Sequence, residues 1–154
     1  MTAWIFIIVI SAHIFGYFLA VTRIPSGLAD FMFELEVSKY VILAAVVFLY
    51  TILGMFLEGF AIMVLTIPII HPLMVGLGFD PIWFGVMVVI MLEMSLITPP
   101  VGVNVFVIKG VAKDVPMYTI FRGIWPFWLA MLACLIILTI FPEIALFLPD
   151  TMKF

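Results

Sequence analysis

Ser95-Leu96-Ile97-Thr98-Pro99-Pro100-Val101-Gly102-Val103-Asn104 lies inside an apolar run, Pro81 to Ile108, whose only ionisable residue is Glu93. A run of that length has the outline of a membrane helix, yet a continuous helix cannot pass through it. Pro99 and Pro100 remove two adjacent backbone donors, and their rings clash with the preceding turn. Pro99 also pushes Thr98 away from helical geometry. Gly102 then frees the backbone again. Unpaired carbonyls and amides at membrane depth are tolerated only when buried in protein or lining a wet cavity. One reading is a proline-kinked helix. The combination Thr-Pro-Pro-x-Gly-x-Asn favours the other, an unwound segment facing a ligand, as found at ion and substrate sites of secondary transporters.

The rest of the chain agrees with a bilayer setting. Of 154 residues, 68% are hydrophobic and 10% charged, and mean hydropathy is +1.45. This predicts an all-α, polytopic membrane protein. Net charge is −3 with no basic run, so nucleic acid is not an expected partner. The single cysteine, Cys134, excludes an internal disulfide and reads as a small buried apolar residue. There is no Cys/His metal spacing, G-x-S-x-G elbow or phosphate-binding glycine loop, so an enzyme is the least favoured class.

Five segments follow from the pattern. Residues 1–22 form a transmembrane helix, with His13 as a packing or interfacial polar group. Residues 23–39 read as an amphipathic helix in the interface, with Leu28, Phe31, Met32 and Leu35 on one face and Asp30, Glu34 and Glu36 elsewhere. Residues 40–79 read as a re-entrant helical hairpin. The apolar stretch from Gly59 to Pro68 covers only ~15 Å as helix, about half the bilayer core. Continuing through Pro68 would instead give two full spans. The hairpin tip falls at Gly54-Met-Phe-Leu-Glu58-Gly59, where glycines permit close backbone approach. Glu58 is either a functional intramembrane carboxylate or a cap on the second arm. His71, between prolines, reads as structural.

Residues 80–112 form the broken transmembrane helix, opened by Asp80 as cap and Pro81 at the first position. Cost keeps Glu93 away from lipid. Residues 113–154 contain a polar loop, a last span from Gly123 to Pro142 and a short tail. Trp125 and Trp128 are expected at a membrane interface. Lys109, Lys113 and Arg122 against Arg23 and Lys39 vote weakly for a cytoplasmic Lys109–Arg122 loop.

These residues resemble a family. Gly54-Met-Phe-Leu-Glu58-Gly59, Ile67-Pro68-Ile and Pro72, Gly78-Phe-Asp80-Pro81-Ile-Trp-Phe84-Gly85-Val and Leu96-Ile-Thr98-Pro99-Pro100-Val-Gly102 are similar to the large membrane subunit of TRAP transporters. So are Phe121-Arg-Gly-Ile-Trp-Pro126-Phe and Phe141-Pro142-Glu143-Ile-Ala-Leu-Phe-Leu-Pro149. The resemblance runs from about Lys39 to Pro149. Many relatives carry Asn where this chain has Met91, a departure on the Glu93 face.

The resemblance implies a sodium-driven secondary transporter in the bacterial inner membrane that imports dicarboxylates or other organic acids. It implies a small membrane subunit and a periplasmic substrate-binding protein as partners, and no organic cofactor beside the coupling sodium ion. The large subunit has two inverted repeats. One hairpin and one break, with no internal duplicate, correspond to the C-terminal repeat, with an N-terminal repeat elsewhere. In this setting the sodium shell is expected from the Thr98 hydroxyl and backbone around Ile97, Pro99 and Gly102, joined by tip carbonyls near Gly54 and Gly59. Asn104, Glu58 and Pro100 are expected toward the substrate. A proton-coupled carrier or channel, with Glu58 and Glu93 titrating, and a non-transporting scaffold remain as rival readings.

Overall fold

The computed structural model describes residues 2–24, 27, 37–99 and 102–152. Among these residues the chain is all-α, with no strand. The elements are α1 (Thr2–Thr22), α2 (Lys39–Phe56), α3 (Gly59–Gly76), α4 (Pro81–Leu96), α5 (Val103–Val111), α6 (Met117–Ile140) and α7 (Glu143–Thr151). The expected amphipathic helix falls on residues 28–36, which lie outside the described residues. Three helices, α2, α3 and α6, are long and apolar enough to cross a membrane.

Each start and stop has a local cause. Asp80 caps α4, its Oδ1 accepting from the amides of Ile82 at 2.8 Å and Trp83 at 3.0 Å; Pro81 loses nothing at the first position, where no intrahelical bond is due. Glu58 caps α3 through the amides of Phe60 and Ala61. Hydroxyls that would otherwise face an apolar medium bond back to the preceding turn: Thr22 to Phe18, Thr51 to Val47, Thr66 to Ile62 and Thr139 to Leu135.

Helix α2 folds back onto α3 at Leu57 and Glu58. Tyr50 Oη and Thr66 Oγ1, equally distant in sequence from Glu58, are 2.6 Å apart and tie the two arms together. The second arm does not stop at Pro68. It runs for 18 residues with Pro68 and Pro72 inside it, because a proline deletes only one helical bond and packed neighbours hold the axis. The length argument for a short second arm therefore fails.

Helix α4 is the hub. It packs against α2, α3, α5, α6 and α7 and buries Trp83, Phe84, Met87, Val88, Met91, Leu92, Met94 and Ser95. Trp83 satisfies its indole N–H on the Leu138 carbonyl of α6 at 2.8 Å. Met91, where a polar residue is common in the resembled family, is fully buried in this apolar core. His71 is half-buried, with its ring centroid 6.3 Å from that of Phe84. One expectation is corrected. Cys134 is exposed rather than buried, since in a membrane protein the apolar outside takes residues that a soluble core would hide. The short tail carries a helix over residues 143–151. Trp128 sits mid-helix, 11 residues after the start of α6 and 12 before its end.

Candidate ion and substrate site at the helix break

The break is built as the prolines demand. α4 ends at Leu96 and α5 starts at Val103. Gly102 caps α5 with φ +54°, a left-handed conformation that disfavours any side chain. A Cβ there would also lie 3.2 Å from the Thr98 carbonyl oxygen and 3.3 Å from the Ile97 carbonyl carbon. Gly102 is thus required twice, once by its dihedral and once by the close approach of the chain to itself.

Thr98 is buried, with 6% of its surface exposed. Its hydroxyl donates to the Met94 carbonyl at 2.7 Å and accepts from the Trp128 indole N–H at 3.0 Å. No amide among the described residues donates to the carbonyl of Leu96, Ile97 or Thr98. A cavity of about 160 Å³ opens beside them, lined by Thr98, Pro99, Phe121, Ile124, Trp125 and Trp128. Half of its lining residues are aromatic, so the polar groups that converge here are few.

The hairpin tip reaches this break. A methyl group placed on Gly54 would overlap the Ser95 side chain, and one on Gly59 would lie 3.4 Å from Leu96 Cδ1. Ser95 is fully buried and donates its hydroxyl to the Leu92 carbonyl at 2.6 Å. Sequence spacing could place Gly54 and Ser95 each on its own element, but only the packing of α2 on α4 brings them together.

The other expected site residues fare differently. Ile97 and Pro99 are half-buried at the break, and Gly54 and Gly59 are buried. Asn104 is half-buried in the first turn of α5. Glu58 is exposed, with both carboxylate oxygens engaged in capping α3; capping is the role its geometry displays. Pro100 lies outside the described residues. Glu93 is exposed on α4. Two residues were missed as site members. Ser95 stands in the quoted stretch, and its small side chain opposite a glycine was the available signal. Trp128 carries no local signal, because its role depends on a partner 30 residues away.

A hairpin folded against an interrupted central helix, in a chain with several apolar spans, defines an α-helical multi-pass membrane protein of the transport class. The chain belongs to the DctM family, the DctM component of the tripartite ATP-independent periplasmic transporters, whose family model matches residues 1–144. This is a family of transport proteins rather than enzymes. The match extends the resemblance to α1. The chain is 32% identical to the sialic acid TRAP transporter large permease protein SiaM of Vibrio cholerae, covering 97% of this chain and 35% of that protein. It is 35% identical to the C4-dicarboxylate TRAP transporter large permease protein DctM of Rhodobacter capsulatus, over 97% of this chain and 34% of that protein. It is also 35% identical to the isethionate TRAP transporter permease protein DctMQ of Oleidesulfovibrio alaskensis, over 95% and 23%. The chain therefore spans about a third or less of the length of these relatives.

Proposed function

We propose that this chain is the C-terminal repeat of a TRAP large permease and supplies one half of a sodium-coupled site for organic acids. The transporter would sit in the inner membrane, with a small membrane subunit and a periplasmic binding protein delivering substrate. The observation that carries this reading is the seating of the hairpin tip on the break, Gly54 on Ser95. A sodium ion needs oxygen ligands in place of water. The Leu96, Ile97 and Thr98 carbonyls have no amide donor among the described residues, and a hydroxyl has two acceptor lone pairs. Thr98 spends one on Trp128 and keeps the other. The donor set therefore fits a hard cation.

Depth supports the same reading. Trp128 stands near the middle of the 24-residue α6, so its bond to Thr98 favours a break far from either membrane surface. Beyond that level α6 continues for ~16 Å at 1.5 Å per residue, which favours a hairpin ending inside the bilayer. The relatives' printed substrates, sialic acid, C4-dicarboxylates and isethionate, are all acids. Half-helix N-termini, such as that of α5, favour anionic groups.

The test is uptake of candidate organic acids by the complete transporter in liposomes, with its binding protein. An inward sodium gradient should drive accumulation and a proton gradient alone should not. Accumulation driven by the proton gradient without sodium would replace this reading with the proton-coupled one.

A further inference from the structure

Two cavities away from the break share residues. The first, about 280 Å³, is an apolar groove open on one side and walled by Leu43, Ala44 and Val47 of α2, Met87 of α4, and Leu132 and Ile136 of α6. The second, about 220 Å³, contains Lys39, Asp80 and Trp83. Tyr40 and Thr139 line both, so the groove and the polar cavity adjoin. The polar cavity lies where α2 and α4 begin and α6 ends, so it marks one end of the helix bundle.

The dimensions select an occupant. The groove follows α2 from Tyr40 to Val47 and α6 from Ile140 back to Leu132. That is ~12 Å along the helix axes, close to the ~15 Å depth of one leaflet's hydrocarbon. An extended hydrocarbon chain of that length fits such a groove.

The charges select the headgroup. The Lys39 ammonium lies 5.0 Å from the Phe79 ring centroid and 5.6 Å from that of Tyr40. It has no carboxylate partner among the described residues. Asp80 uses Oδ1 for both cap bonds and keeps Oδ2 unengaged. The cavity therefore offers one cation and one anion, complementary to a phosphate and an ammonium carried by the same molecule. Tyr40, Phe79 and Trp83 surround them as amphipathic and apolar rings do at the headgroup level.

We propose that this composite site holds one phospholipid with a primary-amine zwitterionic headgroup. One acyl chain lies in the Leu43–Leu132 groove, the phosphate sits at Lys39 and the ammonium at Asp80. The inference is independent of the ion site, since no residue is shared with the break.

The experiment uses the intact transporter containing this segment, reconstituted with dioleoyl phosphatidylethanolamine bearing a diazirine in the acyl chain. After irradiation, cross-links should concentrate on the groove residues Leu43, Ala44, Val47 and Leu132, exceeding those on the exposed Phe48, which does not line the groove, by about tenfold. Ala44→Trp, which fills the groove, should abolish that excess. Asp80→Asn keeps the cap acceptor and should erase the preference for phosphatidylethanolamine over phosphatidylglycerol. Uniform labelling of inward and outward positions would overturn the proposal. So would absence of label from the groove because another polypeptide segment covers it. Neither result would bear on sodium coupling.

Discussion

The indole N–H of Trp128 donates to the hydroxyl of Thr98 across 3.0 Å, joining the middle of α6 to the end of α4. This bond fixes the hydroxyl hydrogen toward the Met94 carbonyl and aims the remaining lone pair away from both. Trp128→Phe keeps the ring and removes the donor. In the assembled transporter it should weaken apparent sodium affinity by about 2- to 10-fold, the range of one lost neutral hydrogen bond. Combined with Thr98→Val it should do no further harm, because both changes break the same contact. Additive losses in sodium-dependent uptake would show that the bond has no part in ion binding.

Gly54 has no room for a side chain. Gly54→Ala forces a methyl into Ser95, and overpacking of this kind costs about 1–3 kcal/mol or more. The purified transporter should unfold at lower temperature and transport poorly. Adding Ser95→Gly removes the obstructing atoms and should recover much of the loss. Failure of the double variant to improve on Gly54→Ala would mean that the two helices do not meet there.

Gly102 and Gly85 make a matched pair. Gly102 has φ +54° and close backbone neighbours, whereas a Cβ on Gly85 meets nothing within 4 Å. Gly102→Ala should cost about 1–2 kcal/mol from the left-handed backbone alone and impair transport. Gly85→Ala, inside a helix, should be neutral or stabilising by up to ~1 kcal/mol. Thermal unfolding of the two variants side by side checks the contrast.

Much of this was legible in the sequence, and the reason is that it was local. Asp80-Pro81 announces a helix start, and Thr98-Pro99-Pro100 with Gly102 announces a break, because backbone donors and dihedrals are properties of a few adjacent residues. Pro68 and Pro72 misled for the same reason: alone each ends a helix, but packing against α2 and α4 carries α3 through them. Glu58 admitted two roles, and only the geometry displays the cap. Trp128 and Ser95 became site residues through tertiary contacts that no periodicity encodes. Cys134 was misjudged because burial rules drawn from water invert when the outer face of a helix is apolar.

The depth of the hairpin has its own test. In a Cys134→Ala background, the proposed re-entrant hairpin predicts that Leu57→Cys resists a membrane-impermeant thiol reagent applied from the side opposite Lys39. Prompt labelling from that side would show that both arms cross.

The most direct measurement is the sodium dependence of uptake by the complete transporter carrying Thr98→Val, with Thr98→Ser as control. Valine keeps the shape of threonine and removes the oxygen that Trp128 and Met94 hold in place. One ligand lost from a dry site costs on the order of 1–3 kcal/mol, so apparent sodium affinity should fall roughly 5- to 150-fold, with Thr98→Ser close to the parent. Unchanged sodium dependence in Thr98→Val would contradict a hydroxyl-coordinated ion at the break.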